Sequence, residues 1–378
     1  MNTDIFEVIE PGLLTTVQDL GRYGFQKYGI PVSGAMDTYS LRFANILIGN
    51  AEEDAGLEIT VLGPKLRILS HSCIVITGAD INPKIDGDSV SQWVPIDVHP
   101  GNILTFGPVS DGMRSYLSVP GGIDVPMLLG SRSTYTKSNM GGYHGRSLNI
   151  GDIIKANYLK PNVEISVKAL PEELVFYPFG HVHDLRVVLG PQDKAFTTEG
   201  ISTFLNSEYT VSIQSDRVGY RLEGPVVEHS NGFDIISDGS SLGSVQIPGD
   251  GSPIVLMSDR GTTGGYTKIA TVISTDIYKL AQAMAGDRIK FSLVNIDEAE
   301  NLLRTRESRI TQFANSVRYP RPDKKLNVLV DETSYNVTDM NGREIVLMSS
   351  RTGQVRHIMT ANVSGRKFRF DVQIESED

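Results

Sequence analysis

Short apolar runs separated by turn residues constrain the fold of this chain more than any other feature. Gly, Pro, Asp or Asn bound each of the runs LRILSHSCIVITG, ILTFGPV, RSYLSVPGG, LRVVLGP, YTVSIQS and PIVLMS. Short strands with turns at close intervals are typical of β-barrels and β-sandwiches, and not of alternating strand–helix units. The sequence therefore predicts a mostly β protein.

Only three segments have the spacing of an amphipathic helix. The first, MDTYSLRFANILIGN, has Asp37 as a candidate N-cap. The second, STDIYKLAQAMAGD, repeats this design and ends in a glycine. The third, DEAENLLRTRESRITQFANSV, is charged enough to lie on the surface. The prediction is a few short helices added to a strand-rich protein.

A chain of 378 residues is long enough for two compact domains and an extension. We predict a first domain over residues 1–175 and a second over 176–295, with the proline-bearing stretch KALPEELVFYPFG as the linker. Residues 296–378 are predicted to carry a helix, a linker and a small β-rich extension.

Each of the first two domains closes on a Gly-Asp pair before an apolar strand, at 151–152 and 286–287. A duplicated barrel would explain this, although two such turns can also arise by chance. In the third segment, RYPRPDKKLN is typical of an extended basic linker. The Asn-Gly pair at 341–342 predicts a hairpin.

Composition and charge exclude several classes of function. Apolar residues make up 40% and charged residues 21% of the chain, as in an ordinary globular protein. The net charge of -10 argues against the phosphate backbone of a nucleic acid as the main partner. No apolar run is long enough to span a bilayer, and MNTDIFEVIEPG lacks the basic start of a secretory signal. We expect a cytoplasmic protein without a nucleic-acid or membrane partner.

A single cysteine, Cys73, excludes intrachain disulfides and thiolate zinc clusters. Its apolar, strand-like surroundings, HSCIVITG, favour a buried thiol over a reactive one. The histidines form no HExxH pattern, and HVHD is more typical of a solvent-exposed pair than of a metal site. We predict no metal bound to this chain.

The stretch TTVQDLGRYGFQKYGIPVSGAMD crowds polar side chains between glycines. Its backbone can approach a ligand closely, while Asp19, Arg22, Ser33 and Asp37 supply acceptors, a bidentate donor and a hydroxyl. An Arg–Asp pair that fixes the loop, with the last aspartate used in a helix cap, explains the same residues equally well. Residue types alone leave a binding site and a structural loop as alternatives.

A second polar segment, GSRSTYTKSNMGGYHGRSL, has little hydrophobic periodicity. Ordering so long a polar loop costs entropy that packing does not return, so such loops are more often functional than idle. We interpret it as binding an anion or a carboxylate, with a solvated hairpin loop as the alternative.

A third polar segment, SVQIPGDGSPIVLMSDRGTTGGYTKIATV, contains the phrase GTTGGYTK, which partly resembles a phosphate-binding loop. It lacks the GxxxxGK[ST] spacing, and we exclude a Walker A site. Small residues against Asp259 and Lys268 form a plausible polar pocket, in which the lysine can hold a carboxylate or a developing oxyanion. A hairpin with surface charges is the alternative. In IQSDRVGYRLEG, where Asp216, Arg217, Tyr220 and Arg221 crowd a turn, we interpret an Asp–Arg pair as structural.

The chain resembles the 5-oxoprolinase C-subunit family, also described as the KipI antagonist, allophanate hydrolase subunit 2 or biotin-dependent carboxyltransferase-like group. The matching phrases run in order from residue 5 to about residue 295, and nothing is carried over to the tail. These phrases are PGLLTTVQDLGRYGFQKYGIPVSGAMD, LRFANILIGN, LEITVLGP, TGAD, SVPGGIDVPMLLGSRSTY, GGYHGRSLNIGD, GPQD, SDRVGYRLEG and SVQIPGDGSPIVLMSDRGTTGGYTKIATV.

The resemblance implies two related cyclophilin-like β-barrel domains and a multi-subunit enzyme. Its direct partner would be the 5-oxoprolinase B-subunit, which resembles KipI, together with an A-subunit related to lactam-utilisation proteins. Such a complex hydrolyses 5-oxo-L-proline to L-glutamate with ATP, for which Mg²⁺ is expected. The sequence has no Met-Lys-Met segment, so we expect no covalent biotin on this chain.

Within this resemblance, arginines would hold the substrate carboxylate or a phosphate, a lysine and a threonine would stabilise negative charge on the reacting oxygen, and an aspartate would move a proton or orient a cation. The expected catalytic residues are Lys268, Thr263, Asp259 and Asp37, and the expected substrate-binding residues are Arg22, Ser33, Arg132, Ser133, Thr134, Arg146 and Gln246.

Two other functions stay open from the sequence. The chain can act as a regulatory antagonist that binds a KipI-like inhibitor of a sporulation histidine kinase. It can also act as a carboxyltransferase component on a urea-like amide, with biotin brought by another polypeptide. The polar loops at 130–146 and 246–268 favour chemistry, because the core of a protein interface is depleted in charge.

Overall fold

The computed structural model describes residues 2–157, 174 and 179–318, and five strands of the C-terminal extension. By its internal contacts the chain divides into a unit of residues 1–311 and a unit of residues 312–378. Most of both predicted linkers, and the Asn-Gly pair at 341–342, lie outside the described residues. The domain boundaries drawn from the sequence stay a prediction.

The first lobe, residues 2–157, is built from two sheets. Its strands are β1 Asn2–Glu10, β2 Leu14–Gln18, β3 Gly56–Thr60, β4 Lys65–Ile68, β5 Ser72–Asp80, β6 Lys84–Ile85, β7 Asp88–Ser89, β8 Ile96–Val98, β9 Ile103–Thr105, β10 Asp111–Ser118 and β11 Ile153–Asn157. A six-stranded sheet has the order β11-β1-β4-β9-β6-β7, and a five-stranded sheet has the order β2-β3-β10-β5-β8. Apolar side chains of both sheets share one core.

The second lobe, residues 179–293, contains a closed barrel. Its strands are β12 Val182–Leu189, β13 Glu208–Val211, β14 Gly219–Glu223, β15 Asp234–Gly239, β16 Ser244–Ile247, β17 Ile254–Leu256, β18 Thr263–Val272 and β19 Arg288–Leu293. Seven of them follow the order β12-β19-β13-β14-β17-β16-β18, and a β12–β18 pairing closes the ring. β15 pairs with β18 outside this ring. The barrel core includes Met36, which is supplied by the first lobe.

The helices are α1 Thr38–Leu47, α2 Thr198–Asn206, α3 Ile277–Gln282 and α4 Ile296–Arg318. Three of them confirm the sequence prediction, although α3 is shorter than expected. α1 begins where the Asp37 side chain accepts a hydrogen bond from the Ser40 N–H at 3.0 Å. The sequence analysis missed α2, whose N-cap Thr197 accepts from the Gly200 N–H.

The mostly β prediction is confirmed, but only the second lobe closes by strand pairing. Closure of a barrel requires its edge strands to pair. In the first lobe the edges include β7 and β8, which have two and three residues and offer few backbone groups for pairing. The expectation of a closed barrel in each domain is therefore corrected to two packed open sheets in the first lobe.

The predicted burial of Cys73 is also corrected. The residue lies on β5 next to the edge strand β8 and is only partly buried. Burial still raises the pKa of the Cys73 thiol to about 11, with Asp97 adding to the effect.

The described residues of the extension form strands. β20 Leu326–Val330 pairs with β21 Thr333–Val337, and β22 Val346–Ser350, β23 Arg356–Val363 and β24 Arg366–Gln373 form an antiparallel sheet. No helix in the described part of the chain has both the length and the apolar character needed to cross a bilayer.

Candidate active site between the two lobes

The glycine-rich segment between β2 and α1 lies against the second lobe. Gly21 and Gly34 have φ angles of 105° and 88°, and a Cβ atom on Gly34 would lie 2.9 Å from the Gly21 nitrogen. Only glycine permits this close approach of two backbone stretches. The residue before Gly34, Ser33, donates its N–H to the Ser258 carbonyl at 3.0 Å. The segment therefore forms one wall of a boundary between the lobes.

Asp19 ties this wall to the polar loop that follows β10. Its Oδ1 accepts hydrogen bonds from the Ser131 hydroxyl at 2.7 Å and from the Gly21 N–H at 2.8 Å. Its Oδ2 accepts from the Arg132 N–H, and its own N–H donates to the Ser133 hydroxyl. The two polar segments singled out in the sequence are thus brought together, but Asp19 and Ser133 are used to hold them.

Arg22 is the most buried cation of this wall, with 0% of its surface exposed. Its Nε donates to the Leu128 carbonyl and its Nη2 to the Ser133 carbonyl, each at 3.0 Å. Its Nη1 has no hydrogen-bond partner among the described residues. Burial lowers the pKa of Arg22, while Asp19 and Asp259 act in the opposite direction. A buried guanidinium with an unused N–H group is suited to bind an anion.

The second lobe contributes a buried lysine. Lys268 on β18 pairs in register with Gln246 on β16. Lys268 is 2% exposed, its Nζ has no hydrogen-bond partner in the described chain, and the Asp238 carboxylate lies 3.8 Å away. The Gln246 Nε2 and the Ser240 Oγ are likewise without partners there. A Cβ atom on Gly264 would lie 2.4 Å from that Nε2, so the glycine leaves room beside it.

A turn at residues 257–260 connects the two sets of side chains. Arg260 donates from Nε to the Ser240 carbonyl at 3.0 Å and from Nη1 to the Met257 carbonyl at 3.2 Å. The same turn carries the Ser258 carbonyl that accepts from Ser33. At this boundary, six residues each have a buried side-chain polar atom that lacks a hydrogen-bond partner in the described part of the chain. We name them the cleft cluster: Gln18, Arg22, Ser33, Ser240, Gln246 and Lys268.

Such a concentration of unsatisfied polar atoms is unusual. Buried polar groups in folded proteins nearly always have hydrogen-bond partners, and leaving one unpaired costs about 1–3 kcal/mol, or more for a charged group. Only three other side-chain atoms in the described part of the chain share this condition, in Arg114, Thr275 and Arg306. The unpaired groups therefore mark this boundary as the candidate site.

Asp259 lies at the same boundary but is committed to an ion pair. Both of its oxygens accept from Arg217, at 2.9 and 3.1 Å. Arg217 also donates to the Glu58 carboxylate and, at 2.7 Å, to the Gly34 carbonyl. The sequence analysis expected a structural Asp–Arg pair within this segment, whereas the structure joins Arg217 to carboxylates distant in the chain. Glu58 was missed; its signal is a single acid inside the apolar strand GLEIT.

Asp37 lies in the cap of α1 with no exposed surface. Its Oδ2 accepts from the Ser40 hydroxyl at 2.6 Å and from the Gln282 amide at 2.8 Å. Burial raises the pKa of Asp37, and these hydrogen bonds act against the rise. The structure thus gives Asp37 the capping contacts that the sequence offered as the alternative to catalysis.

The other predicted residues are spread around this boundary. Arg146 is bidentate to Asp152 at 2.7 and 2.9 Å, and this hydrogen bonding raises the pKa of Arg146. Arg132 is partly buried and donates from Nε to the Val125 carbonyl. The Thr134 hydroxyl donates to the Val17 carbonyl, and Thr263 is exposed at the start of β18. None of these side chains belongs to the cleft cluster.

Two open grooves lie elsewhere in the described residues. One of about 320 Å³ is lined by Asn82, Gln92 and Trp93 among others, and a second includes Glu208 and Lys290. Neither lining contains a buried polar atom without a partner. The cleft cluster is therefore distinguished by its unsatisfied buried polar atoms and not by the depth of a groove.

Comparison with known proteins identifies the family of this chain. The family model of the carboxyltransferase domain, subdomain A and B, matches residues 28–293, and the chain belongs to this family. The chain is 36% identical over 310 residues to the 5-oxoprolinase C-subunit of Escherichia coli (strain K12), which covers 82% of this chain and 98% of that protein. The family resemblance drawn from the sequence is confirmed.

Larger proteins contain the same region. Urea amidolyase of Lachancea kluyveri is 34% identical over 331 residues, which cover 81% of this chain and 18% of that protein. The crystal structure of the K. lactis urea amidolyase matches with a TM-score of 0.78 and 30% identity, over 100% of this chain and 23% of that chain. This chain thus spans less than a quarter of the length of either urea amidolyase.

Proposed function

We propose that this chain is the C-subunit of an ATP-dependent 5-oxoprolinase, which acts with its A-subunit and B-subunit partners to hydrolyse 5-oxo-L-proline to L-glutamate. The observation that carries the proposal is the pair of buried cations in the cleft cluster, Arg22 and Lys268, each with a nitrogen that has no hydrogen-bond partner among the described residues. The similarity to the E. coli C-subunit over nearly its whole length supports the choice of substrate.

The cleft cluster matches the groups of a cyclic amino-acid amide. We assign the substrate carboxylate to the Arg22 Nη1 and the Ser33 Oγ, since a guanidinium N–H and a hydroxyl both donate to carboxylate oxygens. The lactam amide then faces Gln246 and Ser240, which can donate and accept. In this orientation Lys268 stabilises the negative charge that develops on the lactam oxygen.

Asp259 acts in this proposal as a positioning residue. Its bidentate contact with Arg217 fixes the turn that carries Ser258, and through it the wall that holds Ser33 and Arg22. Asp37 likewise positions the start of α1. Neither carboxylate has to move a proton for the charge on the lactam oxygen to be stabilised.

ATP and Mg²⁺ belong to the proposed reaction of the complex. ATP, when bound, supplies the phosphoryl activation that an unstrained amide needs before hydrolysis. This chain has no Walker A spacing, and its groups suited to an anion are the Arg22 Nη1 and the Lys268 Nζ.

The test is coupled release of ADP and glutamate from 5-oxoproline by this chain with its two partner polypeptides, omitting each of the three in turn. We expect activity only with all three. Lys268→Met should lower kcat at least about 100-fold, the usual effect of removing one stabiliser of an oxyanion. Arg22→Lys should raise KM by about tenfold or more, because a lysine cannot reproduce the guanidinium geometry.

Arg146→Lys is the matched control for the arginine variant. Arg146 is also a glycine-flanked, partly buried arginine, but its guanidinium is committed to Asp152. Its substitution should leave kcat and KM within about twofold of the wild type. Full activity of the Lys268→Met complex, or equal losses in Arg22→Lys and Arg146→Lys, would refute the assignment of the cleft cluster.

A carboxyltransferase component is the second candidate. It is favoured by the family model and by the match of the whole chain to the K. lactis urea amidolyase structure. The chain would then pass a carboxyl group from biotin, brought by another polypeptide, to a urea-like amide. Transfer from carboxybiotin to urea, with no glutamate release from 5-oxoproline by a verified complex, would favour this candidate.

A further inference from the structure

Three metal-ligating side chains meet at one edge of the first lobe, outside the cleft cluster. Among the described residues, His71, Asp97 and His99 form the one group whose three ligand atoms all lie within 4.8 Å of one another. We propose that these residues bind a first-row divalent transition metal, for which Zn²⁺ is the expected ion.

The antiparallel pairing of β5 and β8 builds the site. The register pairs Ser72 with Val98 and Cys73 with Asp97. Alternate residues of a strand share a face, which places Asp97 and His99 on the same face of this ribbon. In this register His71 lies opposite His99, so all three side chains project from that face. The two imidazole rings are stacked, with centroids 4.7 Å apart and planes 3° from parallel. Both rings present Nε2 to the carboxylate between them.

The distances fit a metal with little rearrangement. The His71 Nε2 lies 2.9 Å from Asp97 Oδ1, and the His99 Nε2 lies 3.1 Å from Oδ2. Zinc bonds to imidazole nitrogen and carboxylate oxygen of about 2.0–2.2 Å place tetrahedral ligands roughly 3.3 Å apart. Each nitrogen–oxygen pair is within a few tenths of an ångström of that spacing, and the two imidazole nitrogens lie within 4.8 Å of each other and would have to reach it as well. Two imidazoles and a carboxylate are ligands that Zn²⁺ accepts, with water completing the four.

The surrounding backbone holds the ligands in place. The His99 N–H donates to the Asn102 side chain at 2.7 Å, and the Asn102 amide donates to Asp86 at 2.6 Å. On the other strand, the Ser70 hydroxyl donates to the Asp4 carbonyl at 2.8 Å, one residue before His71. The three ligands are more than half exposed, so an ion can enter from solvent.

The chain contains a natural control of similar composition. His181 and His183 also flank one carboxylate, Asp287, at 2.8 and 3.3 Å. There the His183 side chain is 2% exposed, and the Asp287 Oδ2 accepts from the Met284 N–H at 2.7 Å. The ligand atoms of this trio do not gather within 4.8 Å. It should therefore not bind the metal.

The site is separate from the proposed reaction. β8 is one edge of the five-stranded sheet and β2, which leads into the glycine-rich wall, is the other. Loss of the metal site should leave the activity of the assembled complex unchanged, so a failure of this inference can be told apart from a failure of the proposed function.

The experiment is titration of Zn²⁺ into untagged, chelator-treated protein by calorimetry, with Co²⁺ absorption as a second readout. We expect one Zn²⁺ per chain for the wild type. His71→Ala, His99→Ala and Asp97→Asn should each weaken binding at least about tenfold, because each removes a direct ligand, and even outer-shell changes cost that much.

Two variants serve as controls. His181→Ala should bind Zn²⁺ as the wild type does, and Cys73→Ser should as well, because its thiol is not among the clustered ligand atoms. Unchanged affinity in the double variant of His71 and His99, or loss of binding in His181→Ala or Cys73→Ser, would overturn the proposal. Melting temperatures without metal confirm that the exposed substitutions leave the fold intact.

Discussion

The boundary between the two lobes buries cations in two different ways. Arg217 is surrounded by the carboxylates of Glu58 and Asp259 and by the Gly34 carbonyl. Arg22 and Lys268, at the same boundary, keep nitrogen atoms without a hydrogen-bond partner in the described chain, and Lys268 has only a 3.8 Å ion pair with the exposed Asp238 carboxylate. The first arrangement holds the lobes together, whereas the second leaves N–H groups that are available to bind an anion.

The pKa shifts follow the same division. Burial opposes the charge on both arginines, but Glu58 and Asp259 raise the pKa of Arg217 above its ordinary value. The pKa of Arg22 is lowered by burial, because the opposing effect of Asp19 and Asp259 is smaller. Removing one partner of a compensated buried charge is strongly destabilising, whereas a buried charge that is not compensated indicates a role in binding.

The largest effect is expected from breaking the compensated arrangement. Arg217→Met should lower the free energy of unfolding by about 3–5 kcal/mol, because it removes the ion-pair partner of two buried carboxylates, Glu58 and Asp259. Urea denaturation followed by circular dichroism measures the loss. Arg221→Met, at an exposed arginine of the same stretch, is the control and should change stability by less than about 0.5 kcal/mol.

Neutralising the two carboxylates tests whether their charge causes the loss of stability in Arg217→Met. Adding Glu58→Gln and Asp259→Asn to the Arg217→Met protein should recover part of the stability, because the uncompensated charges disappear. A loss below about 1 kcal/mol in Arg217→Met alone would mean that the triad is not what holds the lobes, and the contrast with Arg22 would lose its basis.

Two aspartates that precede helices extend this comparison to the pH dependence of stability. Asp276, before α3, is bound by Arg186 through both oxygens at 2.9 and 2.6 Å, whereas the hydrogen-bond donors to Asp37, before α1, are hydroxyl, amide and backbone groups. Burial acts on both, but Arg186 lowers the pKa of Asp276 below its ordinary 3.8. Burial prevails at Asp37, whose pKa is raised above 3.8.

The signs of the pH dependence are therefore opposite. The stability contributed by Asp276 is present above pH 3.8 and is lost as the pH falls through its lower folded pKa. The contribution of Asp37 is present below pH 3.8 and is lost as the pH rises through its higher folded pKa.

Asparagine at each position should separate these contributions. Asp276→Asn should cost about 2 kcal/mol at neutral pH and reduce the loss of stability in acid. Asp37→Asn can keep the cap and should cost less than about 1 kcal/mol. Urea denaturation from about pH 3 to pH 7 checks both. Identical pH profiles for the two variants would contradict the opposite shifts.

Sequence patterns predicted the elements better than the contacts between them. The Asp37 cap and the helix after it are local, because the cap contact joins residues three positions apart. Turn residues likewise showed the short strands of both lobes. Closure was not predictable, because it depends on whether edge strands such as β8 are long enough to pair.

The candidate site was predictable in its residue types but not in its division of roles. Arg22, Arg132 and Arg146 were equivalent in the sequence, yet of these three only Arg22 is fully buried with a nitrogen unpartnered in the described chain. What separates them is long-range: Arg22 donates to a carbonyl 111 residues away, and Arg217 reaches Glu58 across 159 residues. No local pattern contains such distances.

The effect expected at Lys268 is small and unusual in sign. Lys268→Met replaces a buried ammonium with an apolar side chain of similar length, at a site that is 2% exposed. The Nζ has no hydrogen-bond partner among the described residues, and its ion pair with the exposed Asp238 carboxylate is 3.8 Å long, so the charge is only weakly compensated. The variant should therefore be more stable than the wild type, by about 1 kcal/mol, while the reconstituted complex loses activity. Thermal and urea unfolding measure the gain.

Lys194→Met separates this effect from a general effect of methionine. Lys194 is exposed, so its substitution should change stability by less than about 0.5 kcal/mol and leave activity intact. A loss of stability in Lys268→Met would mean that the ammonium has a structural partner, and the Asp238 carboxylate at 3.8 Å would be the first to examine. A gain of stability with loss of activity is the result expected if this charge is kept for binding. If Lys268 served folding alone, its removal would not stabilise the protein.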